Sequence, residues 1–159
     1  MTKLTEKEVI KAFIKRYAFR SSYKFFVPNC YYLPDNEADI FCIKPSLFTT
    51  EYEIKLTKAD FFNDAKKQVI YEGMSEQKYS LLQNGKLEPN YFTYIIQEGI
   101  VDISDVPDFA GVYEAYESKA GILFRCVRKP KRLHGNKITS EQLIKHLSKM
   151  AYRYMDTLR

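Results

Sequence analysis

Residue types that build disulfide frameworks or histidine metal sites are scarce in this sequence. Its 159 residues include three cysteines and two histidines. The cysteines lie far apart, at positions 30, 42 and 126, so that no CxxC knuckle can be drawn. Neither histidine stands in a histidine-metal pattern. The odd number of cysteines and the lack of a signal peptide predict a protein of the reducing cytoplasm.

Long apolar runs are also missing. No stretch approaches the ~20 residues that a helix needs to cross a bilayer, which argues against a membrane-spanning protein. The composition is ordinary globular material, with 45% hydrophobic and 28% charged residues. A chain of this length suits one domain and can bury a core without disulfide or metal staples. We therefore expect residues 1–159 to form a single domain with no membrane partner.

Charge is segregated along the chain. Seven acids and no lysine or arginine lie within residues 88–117, whereas ten lysines or arginines and two acids lie within residues 125–159. Separated positive charge is what a phosphate-binding surface requires, although a basic stretch can equally be a solvated one. If the stretch contacts phosphate, the candidate residues are Lys129, Lys131 and Arg132.

Hydrophobic periodicity and turn signals predict a mixed sheet flanked by helices. Capping boxes at Thr5 with Glu8 and at Thr139 with Gln142 begin the first and last helices. The predicted elements are a helix at 6–19, a short strand or irregular connection at 29–33, strands at 38–44 and 49–56, a helix at 57–71, a helical turn at 78–82, strands at 91–97, 111–116 and 121–127, and the closing helix. The main elements follow the order α-β-β-β-α-β-β-β-α.

The first two strands after residue 37 form a predicted hairpin that gathers charged groups. Alternate side chains of a strand point to opposite faces, so Glu51, Glu53 and Lys55 share one face. The short turn at residues 44–49 favours pairing of the two strands, which brings Asp39 within reach of the other charges. We expect the apolar face to enter the core and the charged trio to be exposed, either on the sheet's other face or at its edge. Glu51 is read as a solvated strand residue, with a third acidic group of the site as the alternative.

Two carboxylates and a lysine are the minimal set for metal-dependent hydrolysis of a phosphodiester. A magnesium ion prefers oxygen ligands, keeps several waters and needs only one or two carboxylates. It polarises phosphate oxygens and generates hydroxide from water, while a nearby lysine can steer or deprotonate that water or stabilise developing charge. Asp39, Glu53 and Lys55 supply this set.

These residues stand in a recognisable context. The segments EADI at residues 37–40 and EYEIKLTKADF at residues 51–61, followed by Asp64 and by Lys66 and Lys67, resemble the PD-(D/E)XK nuclease superfamily. The similarity is to a group of small phage and bacterial members in which the EIK strand leads straight into an [ST]-[KR]-[SA]-D-F helix. It extends over residues 37–133.

The resemblance implies a restriction-endonuclease-like α/β fold and a nuclease that hydrolyses phosphodiester bonds of DNA in phage or bacterial DNA processing or repair. It makes Asp39 and Glu53 ligands of Mg²⁺, for which Mn²⁺ can substitute, and Lys55 the catalytic lysine. Nucleic-acid contacts at Lys58, Lys66 and Lys67 are expected beside it. Many members are dimers, so a homodimer is one expectation. A non-cleaving nucleic-acid-binding protein on the same fold is the alternative, and an unrelated α/β protein with a solvated charged strand is a further one.

The sequence departs from the family pattern at two places. Ala38 stands where the name-giving proline precedes the first aspartate, and residues 72–77 look inserted before Lys78, which leaves the role of that lysine unassigned. Some relatives use a glutamate of the first helix as a further metal ligand. Glu8 is the candidate, although its capping-box position explains it as well. His146 is expected at the surface.

Overall fold

The computed structural model describes residues 3–18 and 25–159. Along the described residues, single helices separate groups of strands. Their bounds are α1 Glu6–Tyr17, β1 Phe25–Leu33, β2 Asn36–Ile43, β3 Thr49–Lys55, α2 Lys58–Asp64, β4 Gln68–Tyr71, β5 Met74–Gln77, α3 Lys78–Gln83, β6 Tyr91–Gln97, a 3₁₀ turn Ile103–Asp105, β7 Gly111–Ser118, β8 Gly121–Arg128 and α4 Ser140–Asp156.

Six strands form one mixed sheet in the order β1-β2-β3-β6-β7-β8. The pairs β3–β6 and β6–β7 are parallel, while β1–β2, β2–β3 and β7–β8 are antiparallel. The carboxyl ends of β3, β6 and β7 therefore lie at the same end of the sheet, and the beginning of β2 lies at that end as well. This confirms the predicted mixed sheet with flanking helices.

Both faces of the sheet are covered. Val9 and Phe13 of α1 pack with Ile40, Ile54 and Phe124 on one face. On the other face, side chains from α2 and α3 pack on the sheet, and α4 adds partly buried apolar groups. The buried members of that second core include Phe41, Phe61, Leu81, Leu82, Tyr94 and Ile96. The expectation of one exposed, charged sheet face is wrong, because α2 and α3 lie over that face.

Local sequence signals located the two terminal helices and the central strand correctly. Both capping boxes are formed, Thr5 with Glu8 at α1 and Thr139 with Gln142 at α4. The prediction for the first helix ran to residue 19, which lies outside the described residues. The strand predicted at 91–97 has the same bounds as β6.

The helix predicted at 57–71 ends seven residues early. It stops at Asp64, and Gln68–Tyr71 instead forms β4, which pairs with β5 across a two-residue turn. Glu72 and Gly73 both adopt positive φ, 49° and 81°, as tight hairpin turns of this twist require. The extra hairpin occupies the segment that looked inserted, and the helical turn expected after it is α3.

The segment before residue 34 is a full strand rather than a short or irregular one. β1 has nine residues and forms one edge of the sheet. Pro28 and Asn29, with φ of 51° at Asn29, are tolerated because an edge strand needs only one of its two hydrogen-bonding sides. Arg153 of α4 covers part of this edge by donating hydrogen bonds to both carbonyl oxygens, at 2.7 and 2.8 Å.

Candidate functional site

A polar cavity of about 480 Å³ opens at the end of the sheet where β3 terminates. It contains all three residues that the sequence singled out, Asp39, Glu53 and Lys55. The other residues that line it are Glu6, Glu37, Ile54, Asp60, Asn63, Asp64, Lys66 and Lys67. The walls are thus supplied by the β2–β3 hairpin, by α2 and by the turn that follows it.

Strand register explains why Asp39 reaches Glu53. In the antiparallel pair β2–β3, Ile40 is opposite Tyr52 and Phe41 is opposite Glu51. Residues that face each other across an antiparallel pair project from the same side of the sheet, so the next step of the register places Asp39 beside Glu53. One oxygen of Asp39, Oδ2, accepts a hydrogen bond from the backbone N–H of Ile54 at 2.6 Å. The other oxygen remains available to the cavity.

Glu53 is almost fully buried and is surrounded by ammonium groups. Its Oε1 lies 3.2 Å from Nζ of Lys67, 3.7 Å from Nζ of Lys78 and 3.8 Å from Nζ of Lys55. Burial raises the pKa of the Glu53 carboxyl, but these three cations lower it by more, so the carboxyl stays ionised. Its Oε2 is buried and has no hydrogen-bond partner among the described residues. A buried anionic oxygen without a partner is costly and points to a missing ligand.

Asp39 responds to the same environment in the opposite direction. Burial raises the pKa of its carboxyl, and the negative charge of Glu53 raises it further. The hydrogen bond from the Ile54 backbone lowers the pKa, but by less than burial and Glu53 raise it. Two carboxyl groups beside one cavity therefore repel each other, and a cation that both could bind would remove that repulsion.

Lys55 is held in place by a second acidic residue. Its Nζ lies 3.0 Å from Oδ1 of Asp64, while Oδ2 of Asp64 accepts a hydrogen bond from the hydroxyl of Tyr94 at 2.6 Å. Burial lowers the pKa of Lys55, but Glu53 and Asp64 raise it by more, so that the side chain remains an ammonium. A permanently charged lysine can orient a phosphate or stabilise developing negative charge, and it is a poor base.

Behind the cavity lies a buried ion pair that the sequence analysis missed. The fully buried Nζ of Lys78 is 2.5 Å from Oε1 of Glu51, and Oε2 of Glu51 accepts a hydrogen bond from the hydroxyl of Tyr32 at 2.7 Å. The expectation that Glu51 is solvated is therefore wrong, because α3 places a lysine over that face of β3. The only available signal was the alternation of Glu51 with Glu53, which puts both on one face.

The remaining lysines of α2 and its turn differ in position. Lys66 and Lys67 line the cavity, and Lys67 contacts Glu53 directly. Lys58 is exposed at the start of α2, with its Nζ 5.9 Å from the ring centre of Phe62, and does not line the cavity. Glu8 is not at the cavity either. It closes the capping box of α1, whereas Glu6 of the same helix is the one that lines the cavity.

Residues 129–133 of the basic stretch lie at the opposite end of the sheet from the cavity. The backbone of Lys131 donates to Phe109, just before β7, and Leu133 donates to Asn90, just before β6. These contacts are at the amino ends of the parallel strands, roughly 20 Å from Lys55 at ~3.3 Å per strand residue. Lys131 pairs there with Asp108. Lys129, Lys131 and Arg132 therefore do not contribute to the cavity.

Arg128, which also belongs to the basic stretch, stabilises the fold. Arg128 donates hydrogen bonds to the backbone oxygens of Val106, Pro107 and Ala110. Arg132 lies 4.9 Å from the ring centre of Phe48 and donates to the hydroxyl of Tyr91 at 3.2 Å. Part of the positive charge of this stretch is thus committed to local contacts.

His146, expected at the surface, is fully buried. Its Nε2 lies 2.5 Å from Oε1 of Glu88, and its Nδ1 lies 3.4 Å from Sγ of Cys30. The histidine faces β1 and the segment before β6, because the apolar stripe of α4 on either side of it packs on the sheet. It belongs to the contacts that hold α4 in place, and it does not line the cavity of Asp39 and Glu53.

Comparison with known proteins identifies the fold alone. No family model and no curated protein matches this chain. A solved structure of a protein of unknown function from Silicibacter pomeroyi is similar, with a TM-score of 0.58 and 17% sequence identity over 86% of this chain and 80% of that chain. Within residues 3–18 and 25–159, no group of three or more His, Cys, Asp or Glu side chains forms a metal-binding cluster, and no helix could span a membrane.

Proposed function

We propose that this protein is a Mg²⁺-dependent nuclease that hydrolyses phosphodiester bonds of DNA at the cavity of Asp39, Glu53 and Lys55. One observation carries the proposal. The carboxyl groups of Asp39 and Glu53 line the same cavity, and the buried Oε2 of Glu53 has no hydrogen-bond partner in the described part of the chain. An anionic oxygen placed in this way is satisfied by a cation.

The residues present fit a magnesium ion. The interacting groups around the cavity are the carboxyls of Asp39, Glu51, Glu53 and Asp64 and the ammonium groups of Lys55, Lys67 and Lys78. The three ammonium groups balance Glu51, Glu53 and Asp64, so ionisation of Asp39 adds a negative charge that a bound cation would neutralise. Asp39 and Glu53 would each provide one oxygen, and two carboxylates are enough for a cation that keeps several waters. Bound there, magnesium would polarise the scissile phosphate and activate the attacking water.

Lys55 then has an electrostatic role. Its ammonium lies at the cavity and keeps its proton because Asp64 and Glu53 stabilise the charged form. It would hold a phosphate oxygen and stabilise the extra negative charge of the transition state. Of the two roles expected for this lysine, the pKa favours charge stabilisation over removal of a proton from water.

The finer fold assignment is also part of the proposal. The antiparallel β2–β3 hairpin is followed by α2, and the chain then returns to place β6 parallel to β3. We assign this arrangement, with α1 against the opposite face, to the restriction-endonuclease-like class. Lys66 and Lys67 at the rim of the cavity would be the first contacts to the DNA backbone.

The proposal is tested by removing each carboxylate without changing its shape. We expect Asp39→Asn and Glu53→Gln to abolish cleavage of labelled single-stranded, duplex or branched DNA in Mg²⁺ or Mn²⁺. Both should also weaken Mn²⁺ binding in isothermal titration, because each loses an anionic ligand. Asp105→Asn and Glu117→Gln, which make the same changes at exposed positions outside the cavity, should behave as wild type.

Two results would count against the proposal in different ways. Unaltered turnover in both cavity variants would exclude metal ligation by Asp39 and Glu53. A wild-type protein that binds nucleic acid but cleaves none of these substrates would instead favour a non-cleaving binding protein on the same fold.

A further inference from the structure

A second groove adjoins the cavity. It has a volume of about 600 Å³. It lies between β1, which is an edge strand of the sheet, and α4. Glu37 lines both this groove and the cavity of Asp39 and Glu53, so the two spaces share a wall. A polymer that enters the cavity can therefore continue along α4.

Cations line the helix side of this groove. Lys145, Lys149 and Arg153 stand four residues apart along α4, which places them on one face with a rise of about 6 Å between neighbours. Lys149 and Arg153 also donate to backbone oxygens of β1, which fixes their positions at the groove. A regular row of cations matches the regular negative charge of a phosphodiester backbone.

Two tyrosines add exposed aromatic rings between these charges. Tyr152 is 66% exposed on α4, and Tyr31 is 42% exposed on β1. Glu37 is the one acid among the described residues that line the groove. It accepts a hydrogen bond from Asn29 at 2.5 Å and is also hydrogen-bonded to Tyr31, so it is engaged at the shared wall. Exposed aromatic rings beside a row of cations are the features with which proteins bind single strands, whose unpaired bases can stack.

We infer that the groove between β1 and α4 binds a single strand of nucleic acid and leads it into the cavity. This inference rests on the proposed nuclease function and adds the substrate class, an unpaired strand rather than a closed duplex. Lys145, Lys149 and Arg153 neutralise successive phosphates, and Tyr31 and Tyr152 stack on bases. These contacts are independent of Lys129, Lys131 and Arg132 at the far end of the sheet.

The test measures binding without cleavage. Fluorescence anisotropy with a short oligothymidylate in EDTA should show that Lys145→Ala combined with Tyr152→Ala weakens binding about tenfold or more, because base stacking and one phosphate contact are lost. Neither residue is buried, so the fold should be retained. The slope of log affinity against log salt should fall by about 0.7. Tyr152→Phe, which keeps the ring, should bind as wild type.

A matched pair of changes serves as control. Lys119→Ala combined with Tyr154→Ala removes the same residue types at positions that are also exposed but do not line the groove. This variant should bind the oligonucleotide within about twofold of wild type.

Several results would overturn the inference. They are equal effects of the two double variants, a Tyr152→Phe variant as weak as Tyr152→Ala, tighter binding of wild type to a duplex of the same length, or no binding by wild type. The proposed nuclease activity fails separately, since it is judged by cleavage in the Asp39 and Glu53 variants. A protein that binds through the groove without cutting would overturn only the nuclease.

Discussion

At the scale of single residues, the unusual feature is a lysine with no exposed surface. Lys78 lies between Glu51 and Glu53, with Nζ 5.4 Å from the ring centre of Phe92. Although burial lowers the pKa of Lys78, the two glutamates raise it by more, so it is charged in the folded protein. A buried ion pair contributes little net stability when intact but is expensive to break.

We therefore expect Lys78→Met to destabilise the protein strongly. Removal of one partner leaves Glu51 as an uncompensated buried carboxyl, a change that costs about 3–5 kcal/mol. Combining Lys78→Met with Glu51→Gln should recover a large part of the loss, and urea unfolding measures both. Lys58→Met, an identical change at an exposed lysine, should shift stability by less than about 0.5 kcal/mol. Equal stabilities of the two single variants would contradict the role of the buried pair.

The raised pKa of Asp39 predicts a pH dependence of metal binding. Burial and the charge of Glu53 raise the pKa of this carboxyl well above the usual value for aspartate, about 3.9. A cation must displace that proton, so Mn²⁺ affinity should rise with pH through the pKa of Asp39, about 8, and level off above it. Isothermal titration at several pH values measures the trend.

The corresponding variant identifies the titrating group. Asp39→Asn has no proton to displace, so its residual Mn²⁺ binding should lose most of the pH dependence. Glu53 stays ionised in this range because its lysine neighbours lower its pKa. A pH dependence that is unchanged in Asp39→Asn would assign the proton to another group.

At the scale of elements, the β4–β5 hairpin is what completes the surroundings of Glu53. It joins Lys67, which precedes β4, to Lys78, which follows β5, and the N–H of Lys78 donates to the carbonyl of Lys67 at 2.9 Å. Both lysines contact Oε1 of Glu53. The β4–β5 hairpin thus brings two cations to the site.

The turn of this hairpin provides a stability test. Gly73 has φ of +81°, where an L side chain is strained by about 1 kcal/mol although no atom blocks its Cβ. Gly73→Ala should therefore destabilise the protein by roughly 1 kcal/mol in urea unfolding and speed amide exchange in β4 and β5. Gly135→Ala is the control, since its Cβ also meets no atom and its φ is not in the positive region. A neutral Gly73→Ala would show that the hairpin turn carries no strain.

At the scale of the whole molecule, positive charge lies at the cavity and its adjoining groove and, separately, at the far end of the sheet. Lys66 and Lys67 lie at the cavity, and the basic stretch with Lys129 and Arg132 lies roughly 20 Å away across the length of the sheet. We propose that the distant stretch also contacts the nucleic-acid backbone. Only a long ligand could reach it while its scissile bond occupies the cavity.

This separation predicts a dependence on ligand length. Replacing Lys129, Lys131 and Arg132 by alanine should weaken binding of a single strand of about 20 nucleotides and flatten its salt dependence by roughly 1.4 units or more, at about 0.7 per phosphate contact. Lys131 contributes less because Asp108 pairs with it. A single strand of about three nucleotides is too short to span roughly 20 Å and should bind the triple variant as it binds wild type. Equal loss with both lengths would contradict the separation.

Local patterns in the sequence determined much of the architecture and of the site. Capping boxes need residues three apart, and strand alternation needs residues two apart, so α1, α4 and the shared face of Glu53 and Lys55 could be predicted without the fold. The hairpin register then required only a short turn to bring Asp39 to Glu53. Each of these signals is carried by neighbours in the chain.

Only the tertiary structure decided which charges are buried and which lie together. Glu51 is buried because α3, 27 residues later, places Lys78 over it. His146 is buried because it meets Glu88, 58 residues earlier. The basic stretch is remote from the cavity because the chain after β8 crosses the amino ends of the parallel strands. The physical reason is the same in all three, since the burial and pairing of a charge depend on contacts distant in sequence, and a local pattern does not specify them.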